Sequence, residues 1–340
     1  MSTEKILLVT TWNIPCGIAE HSAQLKDAIE TQSDLRLEPF SDLHPHPVIN
    51  RYQVGPRPSL VHLNYHAALH SQWTPEYIKL IQKEFNAKVL VTYHDTGIPN
   101  TDQCKYICAA ADAVVIHEDA SADLTCKGPI HYWRMGVADA PRGHYEFGPQ
   151  HYSDPVGAVG ACFTHYAAQP VLGSIGFPFG WKNYDRLAQI TRDQGWALLL
   201  IAPNATQDQV ATWRMTNPYS WIRTEFVPRG EAQSLLAGCD ATAFAYVCNN
   251  AGQSAAILQG VAARKPVIAL KTCRQFRSLY EDPIGRATIR WAETFDDVAA
   301  HLRNVRIQRI DPGMVALAEQ ESWRSVGLKY INLYQSLLHR

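Results

Sequence analysis

Two side chains of this 340-residue chain stand where a strand hands over to a loop, and both can do polar chemistry there. Lys182 lies in Gly176-Phe177-Pro178-Phe179-Gly180-Trp181-Lys182-Asn183, a glycine-bearing loop after the strand-like residues 171–176. A lysine in that place can reach a bound phosphate, and Phe177, Phe179 and Trp181 would fix the loop. The plain alternative is a solvated surface lysine. His94 follows the strand-like residues 88–92 and precedes Asp95. It can donate to a hydroxyl or a leaving-group oxygen, or act as a base, and its plain alternative is a hydrogen-bonded structural histidine.

A third stretch, residues 243–270, reads as strand, polar loop, helix and strand. Residues 243–247 are small and apolar, and Cys248-Asn249-Asn250-Ala251-Gly252-Gln253 is a loop of turn formers. Ser254 stands at the N-cap of a helix that opens with Ala255-Ala256-Ile257-Leu258-Gln259. Arg264-Lys265-Pro266 ends it before the buried strand 267–270. Free N–H groups and the positive end of the helix dipole at Gly252-Gln253-Ser254 can bind an anion. An ordinary capped strand–helix–strand unit would look the same.

Other chemistries find less support. His62, His66 and His70 sit four apart and His44 and His46 alternate, but Pro45 and Pro47 break one pair and His62 falls on a strand, so no metal site is expected. There is no GxSxG element, no GxxxxGK[ST] loop and no GxGxxG around Gly17. The carboxylates show no pairing that suggests a hydrolase. Eight scattered cysteines without a CxxC pair read as reduced, mostly buried thiols. No run of 18 or more apolar residues exists, and residues 1–9 read as a first strand rather than a signal peptide, so the expectation is a cytoplasmic protein without a transmembrane span. The net charge of −1 hides an asymmetry: residues 1–165 hold 12 Lys/Arg against 18 Asp/Glu, and residues 166–340 hold 19 against 14. The second half is the home expected for an anionic ligand, and the acidic first half offers no clear nucleic-acid surface.

The elements that must position these residues alternate between strand and helix. Strands are expected at 5–10, 35–40, 60–63, 88–92, 113–116 and 130–132, with helices at 18–30, 77–84 and 102–111. After a loop-rich connection the pattern restarts with strands at 171–176, 197–202, 222–227, 243–247 and 267–270. Helices are expected at 184–194, 206–216, 230–237 and 294–303, and an amphipathic one at 321–338 closes the chain. This is an α/β chain of two Rossmann-like domains with largely parallel sheets, in which a ligand cleft is expected at the carboxyl ends of the strands.

Five places in this order resemble the GT-B glycosyltransferases, and within them the retaining group 1 type, glycosyltransferase family 4. Cys16-Gly17-Ile18-Ala19-Glu20-His21 looks like that family's first glycine loop, and Val91-Thr92-Tyr93-His94-Asp95 like its histidine-bearing strand end. Residues 176–183 look like its phosphate-lysine loop. Residues 226–240 look like its next strand and helix, and residues 254–268 like its donor-binding helix. Where the family carries two glutamates, this chain has Ala251 beside Asn250, and Gln259.

The resemblance implies two facing domains, 1–160 on the acceptor side and 161–320 on the donor side. The helix 321–340 would cross back to the first. It implies a sugar transfer from a nucleotide-diphospho-sugar, UDP- or GDP-linked, to an unidentified acceptor, with retention and without a metal cofactor. His94, Lys182 and Asn250 are then the catalytic candidates. Lys182 and the helix start at Gly252, Gln253 and Ser254 would hold the diphosphate, and Gly17 would let the backbone approach it. The backbone of Val227 and Pro228 would meet the nucleobase. Asn249 or Asn250 would replace the first glutamate on the sugar, and Gln259 the second on the ribose. The alternatives are a catalytically silent GT-B partner or sensor that binds nucleotide sugar, and a GT-B nucleotide-sugar epimerase or hydrolase.

Overall fold

The computed structural model describes residues 5–12, 16–41, 57–66, 69–70, 73–94, 102–117, 126–139, 169–249, 252–305 and 310–339. The chain forms two compact units: Met1–Gly136 with Asn249–Gln253 and Glu321–Arg340, and Val137–Cys248 with Ser254–Gln320.

The first unit holds strands β1 (Lys5–Thr10), β2 (Arg36–Ser41), β3 (Leu60–Tyr65), β4 (Lys88–Tyr93), β5 (Ala113–Ile116) and β6 (Ile130–Tyr132). They pair in parallel in the order β2-β1-β3-β4-β5-β6. Ile6 to Val9 and Val89 to Val91 are fully buried, as continuous apolar runs must be in a sheet covered on both faces. One face carries helix α1 (Gly17–Gln32), whose Leu25 and Ile29 join Ile6, Leu8 and Leu90. The other carries α2 (Pro75–Phe85), which starts where the Thr74 side chain accepts the Tyr77 N–H with Pro75 in the first turn. It stops at Asn86, a left-handed residue. Helix α3 (Asp102–Ala110) follows.

Six elements build the sheet of the second unit: β7 (Val171–Ile175), β8 (Ala197–Ile201), β9 (Ser220–Arg223), β10 (Ala241–Phe244), β11 (Val267–Leu270) and β12 (Arg290–Ala292). The order is β12-β11-β10-β7-β8-β9, again parallel among the described pairs. Its helices are α4 (Tyr184–Asp193), α5 (Gln207–Thr216), α6 (Arg229–Gly238), α7 (Ala255–Ala262), α8 (Arg277–Glu281), α9 (Pro283–Thr288), α10 (Phe295–Asn304) and α11 (Pro312–Gln320). The chain then returns to the first unit as α12 (Trp323–Leu338), capped where the Ser322 hydroxyl accepts the Ser325 N–H. Val326, Tyr330 and Tyr334 of α12 share a core with α1 and β1. Gly327 brings the two helices so close that a Cβ there would lie 2.9 Å from the Ala28 Cβ.

Three expectations change. Strand β9 ends at Arg223 rather than at 227: it is an edge strand, and Arg223 turns to pair with Glu225 and Glu231. The small strand expected at 243–247 is Ala241–Phe244, which leaves Val247 half exposed. The segment 277–320 holds α8, α9, β12 and α11 besides the expected α10. Its unread signals are two Asp-Pro steps: Asp282 caps Ile284 and Gly285, and Asp311 caps Gly313 and Met314.

Candidate functional site

In each unit the first strand lies between the second strand of that unit and a later one, so the sheet reverses its winding beside it. Loops leave the carboxyl ends of the strands on either side of that point in different directions and open a place for a ligand. In the second unit this place lies beyond β7 and β10.

There Ile175 gives way to Gly176, whose φ of +136° suits glycine. The residues that follow close a single turn of 3₁₀ helix, Gly180–Lys182, which ends at the left-handed Asn183. The Asn183 amide donates to the carbonyls of Trp181 (2.8 Å) and Ala245 (3.1 Å), and the Val247 N–H donates to Trp181 O at 2.8 Å. The Tyr246 hydroxyl donates to Ile175 O at 2.7 Å, and the Tyr184 hydroxyl to Gly176 O at 2.9 Å. The loop after β7 is thereby stapled to the end of β10.

Lys182 is only 6% exposed. Its Nζ sits 4.8 Å from the centre of the Tyr246 ring and 5.3 Å from that of Trp181. Among the described residues no carboxylate pairs with it. A Cβ at Gly176 would fall 2.0 Å from that Nζ, so the glycine is what leaves room for the ammonium. Burial lowers the Lys182 pKa from 10.5 to about 7, against smaller opposing pulls from Cys248 and Cys273. Those two thiols are buried and share a hydrogen bond of 3.1 Å.

The other predicted residues of this unit divide. Ser254 is the N-cap of α7, but its hydroxyl makes no cap bond to the first N–H groups of that helix. Gln259, on α7, presents a buried side-chain oxygen that has no partner among the described residues. Val227 packs into the core with Leu235 and Leu236, which leaves only its backbone for a ligand, and Pro228 is the exposed residue before α6.

In the first unit His94 follows β4, and it is joined by two histidines outside the site expected from the sequence. His117 follows β5, the neighbour of β4, and His21 lies on α1. The Nε2 atoms of His117 and His21 are 3.1 Å apart, and one ligand atom from each of the three rings lies within 4.8 Å of the other two. Burial, first of all, holds His21 and His94 well below their ordinary pKa and His117 at about 4, so all three are neutral at pH 7. His62 is spoken for: its Nδ1 meets the Tyr334 hydroxyl at 2.6 Å and its Nε2 the Thr92 hydroxyl at 2.7 Å. His70 Nδ1 accepts the His66 N–H at 3.1 Å, so the 62–66–70 spacing serves the fold.

Gly17 opens α1 after its cap Cys16, and a Cβ there would meet nothing within 4 Å among the described residues. The short segment Asn249–Gln253 belongs to this unit. Asn249 is exposed, and Gly252, at φ +103°, would bring a Cβ to 3.1 Å from the His94 carbonyl oxygen. Gln253 Oε1 accepts the Met135 N–H at 2.6 Å. Asn250, and with it Ala251, lies outside the described residues, as does Asp95.

No family model matches the chain, and no curated protein matches its sequence. Solved structures do match its fold. Anabaena HepE, in complex with UDP and glucose, is similar with a TM-score of 0.64 at 14% identity, over 98% of this chain and 100% of that one. The N-terminal domain of Candida albicans trehalose-6-phosphate phosphatase matches with a TM-score of 0.64 at 11% identity, over 99% and 97%. The UDP-forming trehalose-phosphate synthase of Burkholderia xenovorans matches with 0.62 at 9%, over 98% and 99%. The fold is that of the GT-B glycosyltransferases, two Rossmann-like units with the last helix returned to the first. Among the described residues, no helix is long and apolar enough to cross a membrane.

Proposed function

We propose that this protein transfers a sugar from a nucleotide-diphospho-sugar, UDP-linked before GDP-linked, to an acceptor hydroxyl. Anomeric configuration is retained and no metal assists the leaving group. The observation that carries the proposal is Lys182: a buried amine, without a carboxylate among the described residues, where the second sheet reverses its winding. A cation kept there at the cost of its hydration is made to meet an anion. The uncapped start of α7 adds N–H donors of the same sign, and the unpaired oxygen of Gln259 suits a ribose hydroxyl.

In the reaction the bond from the anomeric carbon to the diphosphate breaks, and a bond to the acceptor oxygen forms on the same face. The acceptor proton leaves with the phosphate oxygen. The barrier lies in charge gathering on the diphosphate, which Lys182 stabilises in a water-poor site, and His94 is assigned to the transferred sugar. That HepE was crystallised with UDP and glucose supports a UDP-sugar as the first donor to try.

Incubation with UDP-, GDP-, ADP- and dTDP-sugars should release nucleotide, and release should vanish in Lys182→Ala and His94→Ala. If calorimetry finds no nucleotide bound at all, the proposal fails. The neutral Gln259, where the resembled family has a glutamate, favours one second reading, a silent nucleotide-sugar binder. Tight binding without turnover across a broad acceptor panel would select it.

A further inference from the structure

The histidines of the first unit form a more demanding arrangement than contact with one sugar requires. The ring centres of His21, His94 and His117 make a nearly equilateral triangle with sides of 4.6, 4.9 and 5.1 Å. A zinc ion takes imidazole nitrogen at about 2.0–2.1 Å, which puts ring centres of a tetrahedral site roughly 5 Å apart. The triangle has the size of a three-histidine tripod.

The outer hydrogen bonds assign the lone pairs. His117 Nδ1 lies 2.9 Å from the Trp133 carbonyl oxygen, so it carries the proton and Nε2 is the free base. The Asn64 amide nitrogen donates to the Ser22 hydroxyl at 2.7 Å, which turns Asn64 Oδ1 to His94 Nε2 at 3.3 Å. That oxygen needs a proton from the ring, so His94 Nδ1 is left as the base. His21 is 3% exposed, and its Nδ1 is buried with no partner among the described residues. The Trp323 ring, 5.0 Å from that of His21, closes the site with an apolar wall. The carbonyl behind His117 and the amide behind His94 are the outer shell that metal-binding histidines require. His21 Nε2, 3.1 Å from the free base of His117, donates to it and carries the proton that a bound metal would displace.

We propose that His21, His94 and His117 bind one divalent transition-metal ion, zinc foremost, through three imidazole nitrogens with the fourth position open. An all-nitrogen donor set excludes magnesium and calcium and suits zinc, copper or nickel. The site does not rest on the transferase reading. If both hold, zinc takes a ring nitrogen of His94 and competes with the sugar for that side chain.

The full chain, stripped with a chelator and dialysed, is titrated with zinc chloride alone. One equivalent should bind and raise the melting temperature, while magnesium and calcium do neither. His117→Gln and His21→Phe should each weaken zinc binding at least a hundredfold, and His301→Gln, in the second unit, should leave it unchanged. Cobalt loading should give the intense visible bands of a tetrahedral ion, lost in His117→Gln. The proposal is overturned if zinc leaves the melting temperature of the stripped wild-type chain unmoved. It is equally overturned if a folded His21→Phe, His117→Gln double variant, checked by circular dichroism, still binds one equivalent as tightly. Neither measurement involves a donor sugar, so failure here leaves the transferase test standing.

Discussion

Both units bury nitrogen bases near the carboxyl ends of parallel strands, but they support them in opposite ways. In the first, each histidine has an outer partner or a neighbouring ring, and burial removes the charge: the imidazoles are neutral. In the second, Lys182 is walled by Trp181 and Tyr246, and burial lowers its pKa to about 7. The first environment is neutral and presents basic nitrogens, which suit a metal ion. The second is unfinished: an anion beside Lys182 would raise its pKa again and complete it.

The comparison breaks most decisively at Lys182 itself. Lys182→Met should lower turnover about a hundred- to a thousandfold, the usual loss of one donor to a developing anion. It should also stabilise the free protein. The folded pKa is depressed, so folding expels a proton between pH 7 and 10.5, and the cost is fully present below pH 7 and fades toward 10.5. The methionine variant should therefore melt above wild type at pH 6, by up to a few kcal/mol of stability, with the gap closing by about pH 10. Thermal melts across that range check it. A variant that is less stable at pH 6 would make Lys182 an ordinary packing residue.

Gly176→Ala attacks the same cavity without touching charge. The added carbon would lie 2.0 Å from Nζ and 3.3 Å from the Tyr246 hydroxyl, on a backbone at φ +136°. Donor affinity should fall roughly tenfold or more, with about 1–3 kcal/mol lost in stability from the strained backbone. Calorimetric titration with UDP and a denaturant melt separate the two effects. Unchanged affinity in a folded variant would place the diphosphate elsewhere.

These two residues also mark where sequence reading stops. The loop before Lys182 was legible because a strand, two glycines and a helix start lie consecutively. The depth of Lys182 was not, because its walls come partly from Tyr246, which is local only once β7 and β10 are neighbours. The histidines repeat the lesson. His94 and His117 each follow a strand, and nothing in their 23-residue separation joins them. The parallel pairing of β4 with β5 does so, and α1 brings His21. Most strands were legible because burial on both faces demands unbroken apolar runs. The charged edge at Arg223, the bounds of β10 and the short elements around the two Asp-Pro caps escaped that signal.

Acidity offers a milder handle on the contrast. Only the protonated Lys182 attracts an anion, so UDP affinity should drop about tenfold per unit as pH rises above 7 and level off below it. In Lys182→Met that slope should disappear. A slope that survives the substitution would belong to another group.

The smallest expected effect tests the ribose contact. Gln259 offers a neutral acceptor, buried and unpaired, and a carboxylate accepts a hydroxyl hydrogen bond more strongly. Gln259→Glu should therefore tighten UDP severalfold, corresponding to about 1 kcal/mol. It should lower the melting temperature of the free protein, because an unpaired carboxylate is then buried. The 2′,3′-dideoxy analogue of UDP should show no gain, since both hydroxyls are gone. If the glutamate tightens both nucleotides alike, the new charge acts at a distance and Gln259 does not touch the ribose. If it tightens neither, the unpaired oxygen on α7 faces some other donor, and the nucleotide is oriented differently over Lys182.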